Sequence, residues 1–392
     1  MQARQRRRGR QATFAAGIAW TMAACAALGG CGGGNGKGDA AVAVSGLRLV
    51  GSASIPTGTM FEGVEFGGIS GLDRAPDGSY WALSDDRGGE RGTPRFYNLG
   101  IDYDGSGAVR VRIDRQAAMR REDGTPFPAT ARTVDPESIR VAPNGNLYWS
   151  SEGNWSTNAS ALYQPFVREM TPDGAFVRQF RTPDAYRYVD NATTGSRGNK
   201  VFEALAVAPD GTVYVANEDA LAQDGSITTL SAGSVVRVTA LDPATGAAGA
   251  QYAYRLPPIP VDAPAGAPFG PDSGLSEMLA IGNRRFIAVE RSFAAGVGNT
   301  IRLVRADIED ATTDVGGIAS LAPAAGAAYT PMARKVLLEM PVVYQGIRMD
   351  NIESIAWGAT LPNGHRTLVL ASDNNFSADQ ATQFIVLEVL EN

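Results

Sequence analysis

The chain has 392 residues, 44% of them hydrophobic, with 35 Lys and Arg against 41 Asp and Glu. That is ample apolar material for a large core, and the net charge of −6 argues against nucleic acid as a partner. Two cysteines, Cys25 and Cys31, and one histidine, His365, exclude a disulfide scaffold, histidine-rich zinc sites and the usual Ser-His-Asp hydrolases.

The first segment reads as an export signal. Arg4, Arg6, Arg7, Arg8 and Arg10 form a basic head, and Phe14 to Leu28 is an apolar stretch too short for an ordinary membrane span. Leu28-Gly29-Gly30-Cys31 resembles the bacterial lipobox, in which the cysteine is lipidated and becomes the first mature residue. Residues 1–31 are therefore expected to be a lipoprotein signal, with an ordinary signal peptide cleaved elsewhere as the alternative. Residues 32–42, rich in glycine, follow as a flexible tether. Gly32 is not the aspartate that resembles an inner-membrane retention signal, so a lipid anchor on the envelope, at the outer membrane or periplasmic side, is favoured. Without the leader's arginines the body holds 30 Lys and Arg against the same 41 acids, a charge of −11. Such a body fits a cation-binding protein or a soluble exported one.

Residues 43–392 are expected to form one domain, because one phrase recurs five times. Its copies start at Ser70, Glu137, Glu203, Glu277 and Glu353, 66 to 76 residues apart, and each ends in further acids. A fixed period of this kind marks a repeat architecture. Each copy opens with two strand-like runs around a tight turn: Pro76-Asp77-Gly78, Pro143-Asn144-Gly145, Pro209-Asp210-Gly211 and Pro362-Asn363-Gly364. Proline presets a negative φ, and glycine accepts the positive φ that closes the turn. The fourth copy uses Ile281-Gly282-Asn283-Arg284 instead.

Two more strands follow in each unit: Phe166–Met170 with Phe176–Arg181, Val235–Leu241 with Gln251–Leu256, and Ile301–Asp307 with Arg334–Met340. Four antiparallel strands in each of five units predict an all-β fold, a five-bladed β-propeller. The last unit supplies only a third strand, Gln383–Leu390, so the N-terminal stretch Val44–Ile55 is expected to complete it and close the ring. A six-bladed ring, with a blade split out of the long fourth unit, stays open.

In an antiparallel pair the start of one strand lies beside the end of the next. That pairs Ser70 with Asp85, Glu137 with Glu152, Glu203 with Glu218, Glu277 with Glu290 and Glu353 with Asp373 at one mouth of the channel. Crowded carboxylates raise one another's pKa or bind cations, and hard oxygen ligands suit Ca²⁺ first, Mg²⁺ or Mn²⁺ second. A cation there could polarise a phosphoryl oxygen and acidify a water. We expect Glu137, Glu203, Glu277 and Glu353 as catalytic carboxylates. Asp85, Asp86, Glu152, Glu218, Asp219, Glu290 and Asp373 are the candidate metal ligands. Arg87, Arg197, Lys200 and Arg291 would hold an anionic substrate. The alternative is that these acids only solvate strand ends.

Other signals are weaker. His365 lies in a turn at the far end of its blade from the acids, and Gly88-Gly89 with Gly92 forms no phosphate loop. Trp81, Trp149, Trp155 and Trp357 are expected to pack between strands, not to serve as a sugar platform. The N-x-S/T sites at Asn154, Asn158, Asn191 and Asn375 indicate polar loops.

The phrases GGISGLDRAPDGSYWALSDDRG, RTVDPESIRVAPNGNLYWSSEGN, KVFEALAVAPDGTVYVANED and MDNIESIAWGATLPNGHRTLVLASDNN resemble the phytase-like family, described as having esterase-like activity of phytase. The resemblance spans about residues 60–392. It implies an exported propeller that hydrolyses a small-molecule phosphoester or carboxylic ester. Carried over residue by residue, it covers Asp85, Asp86, Arg87, Glu137, Glu152, Glu203, Glu218, Glu277, Glu290, Arg291, Glu353 and Asp373. Ser70 departs from the repeated glutamate, which counts against a five-fold symmetric cage. A non-catalytic propeller that binds an envelope partner or ligand is the other reading, since fold does not dictate function.

Overall fold

In the computed structural model, which describes residues 41–88, 90–190 and 193–391, five four-stranded antiparallel sheets are arranged as the blades of a propeller. The leader, Cys31, most of the glycine-rich tether and Asn191 lie outside the described residues. No helix among the described residues is long and apolar enough to cross a membrane.

Blade 1 runs outward through Ile69–Arg74, Tyr80–Ser84, Arg95–Tyr103 and Val109–Ala118. Blade 2 comprises Pro136–Val141, Leu147–Ser151, Phe166–Met170 and Phe176–Gln179, and blade 3 Phe202–Val207, Val213–Asn217, Val235–Leu241 and Ala248–Arg255. Blade 4 is built of Asp272–Gly282, Arg285–Ala294, Gly298–Asp307 and Ala333–Met340. Blade 5 takes Asn351–Trp357, Thr367–Asp373 and Ala381–Glu391 from the C-terminus and its outer strand, Val44–Pro56, from the N-terminus. The closing pair runs from Val44 opposite Glu391 to Pro56 opposite Ala381, so both ends of the domain are hydrogen-bonded into one sheet. The long fourth unit is one blade with long strands and a long loop, not two blades.

The strands form where the sequence alternates or runs apolar, and their buried faces fill each of the five seams between blades. Inner strands pack on inner strands around the ring. Each Pro-Asp/Asn-Gly turn closes as expected; Gly78, at φ 91°, donates its N–H to Ala75 O at 2.9 Å. Trp81 and Trp149 are buried in the seam between blades 1 and 2, and Trp357 donates to Ala280 O. Trp155 differs: it is 39% exposed and leans on Tyr188.

The axis itself is plugged. Glu277 and Arg140 meet there at 2.8 Å, both fully buried. Glu277 also accepts from Ser138 Oγ and from the backbone N–H groups of Leu205 and Met278. Arg140 donates to carbonyls of Leu72, Leu205 and Met278, so one guanidinium ties four blades. The matching positions of the other blades carry Gly71, Ser138, Ala204 and Ser354, small residues that leave room for this pair. At Gly71 a Cβ would meet Ile139 N at 2.6 Å.

Candidate active site at the propeller mouth

Every inner strand carries a register shift near its start, where an extra residue bulges from the ladder. Bulges re-aim side chains, and here they turn one residue per blade toward the mouth. By ladder position these residues are Ser70, Glu137, Glu203, Ser276 and Glu353. The residue after each second strand's matching position forms a partner set: Asp85, Glu152, Glu218, Arg291 and Asp373. Blade 4 is therefore out of phase with the acidic phrase by one residue.

This phase shift corrects several expected placements. Leu275 pairs with Glu290 as Phe202 pairs with Asn217, so Ser276 takes the bulge and Glu277 falls one step further, into the axial plug. Adjacent strand residues point to opposite faces, which removes other acids from the mouth. Glu290 turns into the seam between blades 3 and 4, accepting from Tyr254 OH and pairing with Arg334, each at 2.5 Å. Asp86 turns away from Asp85 to pair with Arg95 at 2.6 Å and to accept from Gly88 and Arg91 N–H. Asp219 orders its own loop through Ala220 N–H, Thr228 N–H and Ser234 Oγ. Arg197 donates to carbonyls of Ala220 and Gly225.

The remaining residues converge. Asp85, Arg87, Glu137, Glu203, Arg291, Glu353 and Asp373 line a concave cavity of about 340 Å³, and Glu152 and Glu218 stand behind it. Lys200 Nζ bridges Glu218 at 2.8 Å and Asp272 at 2.6 Å, so its charge is already engaged. Arg291 reaches Glu218 at 3.0 Å and Glu353 at 3.5 Å. Arg87 pairs with Asp135 at 2.7 Å.

Asp135 is an acid that the repeat did not flag. It stands two residues before Glu137, and a period of two places both side chains on one side of a strand. That signal was present in Asp135-Pro136-Glu137. Asp135, Glu137 and Glu152, all buried, bring carboxylate oxygens within 4.8 Å of one another. The set is oxygen-only and crowded, which fits a hard cation. Glu152 also accepts from Val201 N–H at 2.5 Å. The buried Tyr188 hydroxyl is held neutral by burial and by Glu152, Asp135 and Glu137. Also undetected in the repeat were Asn199, Phe269, Asp272, Phe293, Asn299, Asn351, Asn375 and Gln380, which complete the cavity wall.

Burial, opposed by Arg87, lifts Asp85 to about 6; burial, again opposed by Arg87, lifts Asp135 to about 7. Glu353 rises to about 7 by burial against the pull of Arg291. Glu137, Glu152, Glu203 and Asp373 are pushed well above the usual carboxylate range, first by burial and then by the neighbouring carboxylates of the mouth. Nine carboxylates counting Asp135 and Asp272 face only three cationic side chains, Arg87, Lys200 and Arg291. The mouth therefore either holds protons or attracts a cation.

His365 lies at the other end of its blade, half-exposed and 2.5 Å from Glu388. It takes no part in the site.

Fold and site together define a five-bladed propeller with an acidic axial mouth. A family model described as phytase-like, esterase-like activity of phytase, matches residues 64–376, and the chain belongs to that family. No curated protein matches. Among solved structures the chain is similar to a GH43 β-1,3-galactosidase with galactodeoxynojirimycin, at 14% identity over 86% of this chain and 95% of that one, TM-score 0.42. It is also similar to a glucose dehydrogenase, at 11% over 88% and 99%, TM-score 0.34. A third is a mannose phosphorylase from Leishmania mexicana in complex with phosphate ion, at 10% over 88% and 84%, TM-score 0.33. Similarity at this level carries nothing about activity to this chain.

Proposed function

We propose that the protein is a hydrolase of small phosphoesters or carboxylic esters, with a cation, Ca²⁺ before Mg²⁺ or Mn²⁺, held by the mouth carboxylates. The observation that carries this reading is the excess of buried carboxylate over cation in a concave cavity edged by Arg87 and Arg291. A binding module would sooner present a flat or apolar top surface. Asp135, Glu137 and Glu152 are the residues that would hold the cation. When bound, it supplies Lewis acidity toward a phosphoryl or carbonyl oxygen and neutralises part of the acidic cluster.

The chain's own groups would divide the remaining work. Arg291 faces the cavity with Nη2 anchored on Glu218, which orients a cation toward an anionic ester group. Glu353 is suited to proton transfer, because a carboxyl near 7 is close to half-protonated at neutral pH. Asn351 Nδ2 donates to it at 2.9 Å and sets its orientation. Glu203 is pushed well above the usual carboxylate range by burial and by Glu152, Glu218 and Glu353, which favours its protonated, hydrogen-bond-donating form.

Purified protein should release phosphate from phytate or p-nitrophenyl phosphate, or p-nitrophenol from p-nitrophenyl acetate, with Ca²⁺ and not with EDTA. Glu353→Gln should lower kcat by roughly 10²–10⁴-fold. Absence of turnover on all three substrates in Ca²⁺, Mg²⁺ and Mn²⁺ would remove the reading.

A further inference from the structure

On the blade 4 side of the mouth, three residues share one face of the sheet. Arg291 and Phe293 are two apart on a single strand, and Asn299 lies directly opposite Phe293 in the ladder. Above them Phe269 stacks on Phe293, with centroids 5.8 Å apart and planes at 29°. All four line the cavity. Phe269 is 59% exposed, so an aromatic surface stands open at the rim. A single exposed phenylalanine is ordinary on a protein surface. Its neighbours are not. Asn299 is 5% exposed with Oδ1 buried and unpartnered, and the Nε of Arg291 is likewise buried without a partner. Buried polar groups are rarely left unsatisfied, and those that are call for a ligand or water.

We propose that this corner is a subsite for a neutral hydroxylated six-membered ring, a pyranose, whose C–H face lies on Phe269. A ring hydroxyl would donate to Asn299 Oδ1, and a ring oxygen would accept from Arg291 Nε. A plain aryl group matches the aromatic surface but leaves both polar atoms unsatisfied. A fully phosphorylated ring such as phytate offers no bare face to Phe269, so it would be held from the cation and arginine side of the cavity without using this corner. The preferred substrate is thus a sugar carrying one ester, with the ring on blade 4 and the ester toward Glu353 and the Asp135 cluster. The assignment of the ring to a substrate rests on the hydrolytic reading; binding of the ring does not.

Two measurements on the full domain separate these. The first is saturation-transfer NMR with a panel of methyl pyranosides against wild type, Phe269→Ala and Asn299→Leu. Ring C–H protons of one face should receive saturation in wild type, and Kd should weaken about tenfold in each variant. The exposed position of Phe269 makes its alanine variant a safe probe of the folded protein. If no methyl pyranoside binds, or if binding is the same in all three proteins, the subsite is refuted even where ester hydrolysis is found. The second compares 6-O-acetyl and 6-phospho methyl glucosides with the ring-free esters ethyl acetate and glycerol 1-phosphate. Phe269→Ala should raise KM about tenfold for the sugar esters alone. A uniform effect on both classes would refute the subsite. Binding that depends on Phe269 without hydrolysis of any ester would keep the subsite and overturn the hydrolase.

Discussion

Arg291 occupies in blade 4 the ladder position that Glu218 holds in blade 3, and the two side chains meet across the seam at 3.0 Å. Four blades thus contribute an acid at this level of the mouth, and the fifth contributes the cation that faces them. The asymmetry gives the cavity a direction, with an arginine pole on blade 4 and a carboxylate cluster on blade 2.

Arg291→Gln should therefore separate charge from shape. Glu218 keeps Lys200 as a partner, while Glu353 loses its one ion pair among the described residues. Phosphate release should fall by about a hundredfold or more, as for loss of a transition-state donor, with a smaller loss on uncharged esters. Equal losses on both substrate types would show that Arg291 only supports the wall.

Cation binding should be visible in melting. At free Ca²⁺ a hundred times Kd, the wild type should gain about 2.7 kcal/mol. Asp135→Asn and Glu137→Gln should lose that gain. In EDTA Glu137→Gln should melt no lower than wild type, because its carboxyl is crowded by other buried acids, whereas Asp135→Asn also takes away the ion-pair partner of Arg87 and should melt lower. Calorimetry of the three proteins with and without Ca²⁺ checks this; identical shifts in all three would place any ion elsewhere.

The pH dependence has a defined sign. Asp85 at about 6 and Glu353 at about 7 lie above their ordinary values because burial penalises their charged forms. The folded state thus holds protons that the unfolded chain gives up from about pH 4. This stabilisation is complete below the unfolded values and is lost as pH rises through about 6 and 7. Cation-free protein should melt lower at about pH 8 than at about pH 5, and Glu353→Gln should flatten the fall. A melting temperature that rises across this range would contradict the burial of these acids.

The axial plug should behave oppositely to the mouth. Arg140→Met leaves Glu277 buried without its cation, a change that costs about 3–5 kcal/mol. The Ca²⁺-induced shift should survive in any fraction that folds, since Glu277 is not part of the cation cluster. Denaturant unfolding with and without Ca²⁺ measures both.

The anchor is tested apart from the propeller. Cys31→Ser should move the protein from the membrane to the soluble envelope fraction, and globomycin should block maturation of the wild type. Unchanged fractionation would leave an ordinary signal peptide as the reading of the leader.

Much of this was legible in the chain. Turns such as Pro143-Asn144-Gly145 are local, so they mark strand pairs without knowledge of the fold. The closing strand, expected at Val44–Ile55, runs Val44–Pro56. The mouth positions of Glu137, Glu203 and Glu353 follow from antiparallel pairing alone, and Asp135 could have been found by the same two-residue period.

What the sequence determined was therefore the period, the blade and the end of each blade that carries acid, because those depend on neighbouring residues along one chain. Tertiary structure decided which acids face the cavity. In blade 4 the ladder aligns on apolar Leu275, not on the acid, and a shift of one residue reverses the face presented. Only packing chose that register: Glu277 gains Arg140, Ser138 and two backbone donors on an axis that small residues from the other blades keep open. The same shift delivers Arg291 to the mouth, beside Glu218 from a neighbouring blade, a meeting that no spacing within either repeat encodes.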